Sequence, residues 1–213
     1  FAGTPRAAGS GPIRVEAQEA FWQDSPPTFT FQGGVRAWRG ANLLVAGQVQ
    51  GNEQLGELAA SGLVQTVWVP EEVQAQPGDS DARGPVQVDA DSLLYRQGTH
   101  EAIYSGSVRI TQAGRRVMSE EARLELDAND RIKRLICTGK VRLEDPERDR
   151  RVSGESAVYD LAAGTIIVRG QPVVLEDPVR GRAQGSRLIY QLDDGTVCLL
   201  AAEDGTATEG ATP

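Results

Sequence analysis

Chemistry in a protein chain needs particular side chains within reach of one another, and this sequence offers few candidates. His100 is its only histidine, in the turn-like stretch Gly98-Thr-His-Glu101, with no cysteine or second histidine close by to make a nucleophile and base pair. It reads as a solvated turn residue. Cys137 and Cys198 are the only cysteines. With a single histidine they lack zinc-ligand spacing, and they permit one disulfide in an oxidising compartment or two separate thiols. Gly154-Glu-Ser156-Ala lacks the closing glycine of a nucleophile elbow. Asp127, Asn129 and Asp130 have carboxylate and amide spacing reminiscent of a calcium loop, without its glycine or terminal glutamate, and read as a hairpin turn. Asp89 with Asp91, and Glu120 with Glu121, are carboxylate pairs of the kind that do acid and base work. They recur beside turns at the same place in a repeat, which favours a structural role. No catalytic residue, metal site or cofactor is expected.

The elements that would position these residues follow a repeat. A Gly-x-Val pattern recurs as Gly34-Val35, Gly62-Leu-Val64, Gly106-Ser-Val108, Gly139-Lys-Val141 and Gly170-Gln-Pro-Val173. Between these lie segments opening at Val88, Val117, Val152 and Gly181, spaced 29, 35 and 29 residues. A period near 30 marks a repeat architecture. Inside each unit the period is two: Val108 and Ile110 alternate with Arg109 and Thr111, Leu124 and Leu126 with Glu125, Val141 and Leu143 with Arg142. Alternation places one strand face on an apolar interior and the other in water. Gln97-Gly98, Ala113-Gly114, Ala128-Asn129-Asp130, Ala163-Gly164 and Asp193-Asp194-Gly195 supply the turns. The expected fold is all-β: an elongated antiparallel sheet folded over on itself, with a glycine at each strand's corner where a Cβ would resist the bend.

Composition agrees. The 213 residues are 39% hydrophobic and 5% aromatic, with 24 glycines and 11 prolines, suiting a turn-rich β-protein. The net charge of −8 excludes the basic surface that nucleic acid needs. Of the 22 basic residues only Lys133 and Lys140 are lysine. No apolar run reaches the roughly 18 to 20 residues of a membrane helix. The chain opens on Phe1 and is expected to be a processed or excised piece of something longer. Residues 1–12 and 203–213 read as loose tails, 13–69 as two rungs, 70–85 as a Pro/Gly/acidic linker or long loop, and 86–202 as about four further rungs.

The stretches PVQVDADSLLYRQGTHEAIYSGSVRITQAGRRVMSEEARLEL, LICTGKVRLED, VSGESAVYDL, IIVRGQPVVLED and GRAQGSRLIYQLDDG, in that order over residues 86–202, resemble the OstA/LptA-like lipopolysaccharide-transport family, which spans LptA, LptC and the LptD N-terminal domain. The segment from Thr28 to Pro70 looks like the last rungs of such a domain, ending in Val67-Trp-Val69-Pro70, so the chain reads as a fusion of two. The 70–85 insertion and the lack of a closing Val-Pro strand after residue 200 depart from the family's pattern. The resemblance implies a β-jellyroll, or β-taco, and a non-enzymatic periplasmic protein, which a segment not in this sequence could tether to the inner membrane. It also implies that lipopolysaccharide's acyl chains lie in an apolar trough, and that edge strands join other Lpt proteins or a second copy by strand addition. Matched motifs place Val86, Val88, Tyr159 and Leu161 in that trough. Alternation adds Val108, Ile110, Leu124, Leu126, Val141, Leu143, Val173, Leu175 and Tyr190. Arg96, Arg109 and Arg187 are the arginines expected at the rim to meet phosphates. Two readings compete with this one. A structural or adhesive β-solenoid would have a filled core and no lipid, and a carbohydrate-active enzyme would need a carboxylate pair in a cleft.

Overall fold

A computed structural model describes residues 12–69, 84–128, 131–179 and 181–201. The described residues form strands joined by turns: β1 (Arg14–Glu16), β2 (Glu19–Asp24), β3 (Pro27–Arg39), β4 (Asn42–Asn52), β5 (Glu57–Trp68), β6 (Val86–Arg96), β7 (Glu101–Gln112), β8 (Arg115–Leu126), β9 (Ile132–Asp145), β10 (Arg150–Asp160), β11 (Thr165–Asp177), β12 (Gly181–Gln191) and β13 (Val197–Leu200). They make one unclosed antiparallel sheet in which each long strand pairs with the next, from β3 to β13. β3 carries both β1 and β2 on its other side. β5 pairs with β6 over ten residue pairs, so the sheet continues past residues 70–83. The expected tails lie almost wholly outside the described residues, as do Asn129 and Asp130 of the expected turn.

Every long strand breaks its register once in the middle, for example between Ser105 and Val108, Thr138 and Val141, and Arg169 and Val173. These breaks line up across the sheet and fold it into two limbs. The first limb contains the starts of even strands and the ends of odd ones, and the second contains the rest. Glycines make the corner. Gly106 (φ +80°) and Ser107 (φ +49°) are consecutive left-handed residues, as are Gly139 (φ +79°) and Lys140 (φ +48°). That conformation is costly for a residue with a Cβ. A Cβ on Gly106 would also collide with Asp91, and one on Gly139 with Glu120. The recurring carboxylates therefore lie across the glycine corners, where Glu120 also pairs with Lys140 at 2.7 Å.

Alternation continues through both limbs and points the same rows inward. The core includes Val88, Val108, Leu124, Val141, Leu143, Val168, Val173 and Leu188, all essentially excluded from solvent. Cys137 is buried in it, its thiol pushed up to about 12 by burial. Cys198 is exposed on β13, and both are free thiols. His100 departs from expectation: it is half-buried at a left-handed turn, its carbonyl accepts from Leu126 N at 2.9 Å, and its Nδ1 is buried without a partner among the described residues.

Candidate functional site

The interior between the limbs is the candidate site. The limbs cross obliquely, so the first limb of one strand faces the second limb of a strand two or three places further on. Two polar clasps show this crossing. Tyr104, on the second limb of β7, puts its hydroxyl 2.7 Å from Thr66 Oγ1 and accepts from Trp68 Nε1 at 3.0 Å, both on the first limb of β5. Burial pushes the Tyr104 phenol up to about 12, against the lowering effect of those two bonds. Asp145, at the end of β9, accepts from the Tyr190 hydroxyl of β12.

Asp145 belongs to a row of inward-facing residues at the first limb's rim. Strand pairing sets Arg150 opposite Asp145, and the register of the neighbouring strands extends the row to Arg115 and Asp177. Arg115 Nε and Arg148 Nη1 lie 3.3 and 3.2 Å from Asp145 Oδ2. Arg150 Nε lies 2.6 Å from Asp177 Oδ2, and its Nη1 donates across the mouth to the Gly195 carbonyl. The Asp145 and Asp177 side chains are 0% and 3% exposed, and those of Arg115 and Arg150 12% and 14%. Burial alone would raise the Asp145 pKa. The Tyr190 hydroxyl and the guanidinium groups of Arg115 and Arg148 outweigh it and hold the carboxyl below its usual range. Tyr190 is pushed the other way, by burial and by the Asp145 carboxylate.

Between the clasps lies a narrow slit of about 40 Å³. Val86, Ile110, Leu124, Tyr159 and Leu161 of the expected trough line it, together with Val117, Ile132, Leu135, Ile166 and Leu192. Val88, Val108, Leu126, Val141, Leu143, Val173, Leu175 and Tyr190 face the same interior without lining the slit, and like Val86, Ile110 and Leu124 they are buried. On the other side of the Tyr104 clasp is a wider pocket of about 170 Å³. Its walls include Ile13, Ala37, Leu44, Leu58, Leu93, Tyr95, Thr66 and Trp68, and its exposed surface is almost wholly apolar. Beyond it Phe29 and Phe31 stand 5.3 Å apart and Trp22 meets Phe31 edge-on at 5.7 Å. Trp22 is 69% exposed although strand pairing gives it inward parity with Phe29. None of these front residues is among those expected from the sequence. Alternation carried through residues 28–69 would have found Phe29, Phe31 and Leu58; the openness around them comes from the offset of the limbs.

Of the expected rim arginines, Arg96 ends β6 beside pocket-lining Tyr95 and pairs with Glu57 at 3.2 Å. Arg109 lies on the outer face between inward Val108 and Ile110, and Arg187 beside inward Leu188 with Nε buried and unpartnered among the described residues. Neither stands at the mouth, because both have the outward parity of their strand. Asp89 accepts from Gln65 at 3.0 Å, and Asp127 is held by Arg131 at 2.8 Å, so each carboxylate is engaged within the sheet or its turn. No group of three or more metal-ligating side chains occurs among the described residues, and no described helix could cross a membrane.

Comparison with known proteins returns a family. Residues 87–196 match the model of the LptA/(LptD N-terminal domain) LPS transport protein family. Among solved structures the chain is similar to LptH of Pseudomonas aeruginosa, titled the LptA-homologous periplasmic component of the conserved lipopolysaccharide transport device. Identity is 15% and TM-score 0.48, over 62% of this chain and 86% of that one. No curated protein sequence matches. The family match spans more than half of the chain and covers the Gly-x-Val rungs at Gly106, Gly139 and Gly170, most of the slit and the rear clasp; the chain belongs to the LptA/LptD N-terminal-domain family of lipopolysaccharide-transport proteins.

Proposed function

We propose that this protein works in the periplasm as a carrier or bridge segment for lipopolysaccharide. The lipid's acyl chains lie between the limbs, and its sugars and phosphates stay outside. The carrying observation is the front pocket: about 170 Å³ of almost purely apolar space, open to solvent, in a chain of a lipopolysaccharide-transport family. Such a pocket favours aliphatic chains, because burial of apolar surface at roughly 25 cal/mol per Å² needs few polar contacts. The chains enter over Leu44, Leu58, Trp68 and Tyr95, and the slit residues Val86, Ile110, Leu124, Tyr159 and Leu161 continue the apolar interior behind that pocket. Arg96, at the end of β6 next to pocket-lining Tyr95, is the arginine of the three nearest the pocket and the one to test for phosphate contact, and no catalytic step is involved. Residues 13–69 act as the last rungs of one OstA-like domain and 86–202 as a second. The sheet edges at β1/β2 and β12/β13 add strands of neighbouring Lpt proteins or of a second copy.

The test is native mass spectrometry with lipopolysaccharide on the wild type and on Leu44→Gln and Leu58→Gln, half-buried positions that tolerate a polar group. A lipid adduct on the wild type, lost in both variants with circular dichroism unchanged, supports the reading. An adduct that survives both substitutions contradicts it. The tight rear core favours one rival, a scaffold with a filled interior, and a folded wild type with no adduct would establish that alternative.

A further inference from the structure

Tyr104 is out of character with its row. Its cross-strand neighbours along the second limb, in order from β5, are Ala60, Leu93, Tyr104, Ala122, Cys137 and Ala157. Ala60, Ala122, Cys137 and Ala157 are small and leave room between the limbs, and one full-sized phenol, next to Leu93, crosses that room. It is fully buried, its hydroxyl is held on the opposite limb by both Thr66 and Trp68, and its strand partner Leu93 lines the front pocket. Thr66 and Trp68 line that pocket too, whereas Leu124, two residues beyond Ala122, lines the slit. Tyr104 itself lines neither space; it packs on β7 behind Thr66, Trp68 and Leu93, which line the space of about 170 Å³, on the side toward the slit of about 40 Å³. Two hydrogen bonds to one hydroxyl keep the ring from swinging aside, since a buried phenol without partners would leave its desolvation uncompensated.

We propose that Tyr104 is the depth stop of the acyl-chain pocket, a buried ring that backs the Thr66, Trp68 and Leu93 floor, and that the pocket discriminates chain length by where the chain's end meets that floor. The proposal rests on the lipid-carrier reading and adds a specificity-determining residue to it. Each methylene that still enters the pocket should tighten binding about fourfold, and a methylene past the stop should add nothing.

Saturated fatty acids from 8 to 18 carbons serve as the probe series, measured by displacement of a fluorescent fatty acid from the whole chain. In the wild type, affinity should climb with length and then level off. In Tyr104→Leu the climb should continue for at least two further carbons, a gain of about tenfold or more for the longest chains. Tyr104→Phe keeps the ring as a wall and should keep the wild-type break. Tyr104→Met, unbranched and flexible, replaces the leucine variant if that one does not fold. A break at the same length in wild type and in folded Tyr104→Leu or Tyr104→Met would overturn the stop. So would a wild-type series with no break, although that result leaves the carrier reading standing. Absence of binding at every length in the wild type, with no lipopolysaccharide adduct either, would remove the carrier reading and the stop with it.

Discussion

The front and rear of this sheet are built from one repeating pattern and end up with opposite interiors. At the rear, the inward rim row reads Arg115, Asp145, Arg150, Asp177, and cross-mouth bonds to Tyr190 and Gly195 draw the limbs together over a packed core. At the front, the same row passes through Trp68 and Val86, and a pocket of about 170 Å³ stays open. The difference teaches that in a folded-over sheet the corner fixes the fold while the rim decides whether the interior is shut. Aliphatic rows alone do not separate a core from a trough. The oblique crossing of the limbs adds to the effect, because the second-limb strands at the front extend beyond the first limb, leaving Trp22, Phe29 and Phe31 partly uncovered.

Substitutions should reveal the contrast, and the rear rim should give the largest effect. Asp145→Ala leaves Arg115 and Arg148 facing each other without their carboxylate, and removal of one partner of a buried pair costs about 3 to 5 kcal/mol. The exposure of Arg148, 29%, puts the expected loss at the low end, about 3 kcal/mol. Urea unfolding measures it, and Leu44→Gln at the open front should lose far less. The corner comes next. Gly139→Ala must hold a Cβ at φ +79° against Glu120, and about 1 to 2 kcal/mol should be lost. The exposed pair Lys140–Glu120 at the same corner should be nearly silent, with the unfolding midpoint of Lys140→Ala close to that of the wild type.

Acid should separate the two regions as well. The Asp145 carboxyl is held below its ordinary value, so the stability it contributes is fully present above the unfolded-state pKa of about 3.9. It is lost as pH falls from there through the lowered folded value. Tyr104 has the opposite sign: its pKa, raised to about 12, contributes stability that is lost as pH rises above about 10, the unfolded value. Hydrogen exchange below pH 4 should therefore show β9 and β12 opening before β4 and β5. Asp145→Asn should remove that order.

Much of this architecture was legible in the sequence. Val108/Ile110, Leu124/Leu126 and Val141/Leu143 alternate as half-buried strands must, and the Gly-x-Val glycines mark the corner because the left-handed backbone there disfavours other residues. The family resemblance rested on those same residues. What the pattern did not reveal was the state of the interior. Asp145 and Asp177 continue the inward parity of Val141/Leu143 and Val173/Leu175, but nothing in the sequence beside a turn tells an inward carboxylate from a solvent-facing one. Their inward role needs the guanidinium groups of Arg115, Arg148 and Arg150, contributed from other strands or across a turn. Nothing local marks Tyr104, since Thr66 and Trp68, its partners, are 38 and 36 residues away in sequence.

The most direct test of the central claim is to locate a bound lipid within the interior. A photo-crosslinking residue placed at Leu58 in the front pocket, or at Val197 at the rear, is exposed to lipopolysaccharide and irradiated, and the adduct is read by mass. Both positions are half-buried and face inward. An adduct at Leu58 that persists in high salt, with little or none at Val197, is the predicted result, because burial and not charge supplies the affinity. Equal adducts at the two positions, or an adduct at Val197 alone, would contradict an interior that is open at the front and shut at the rear.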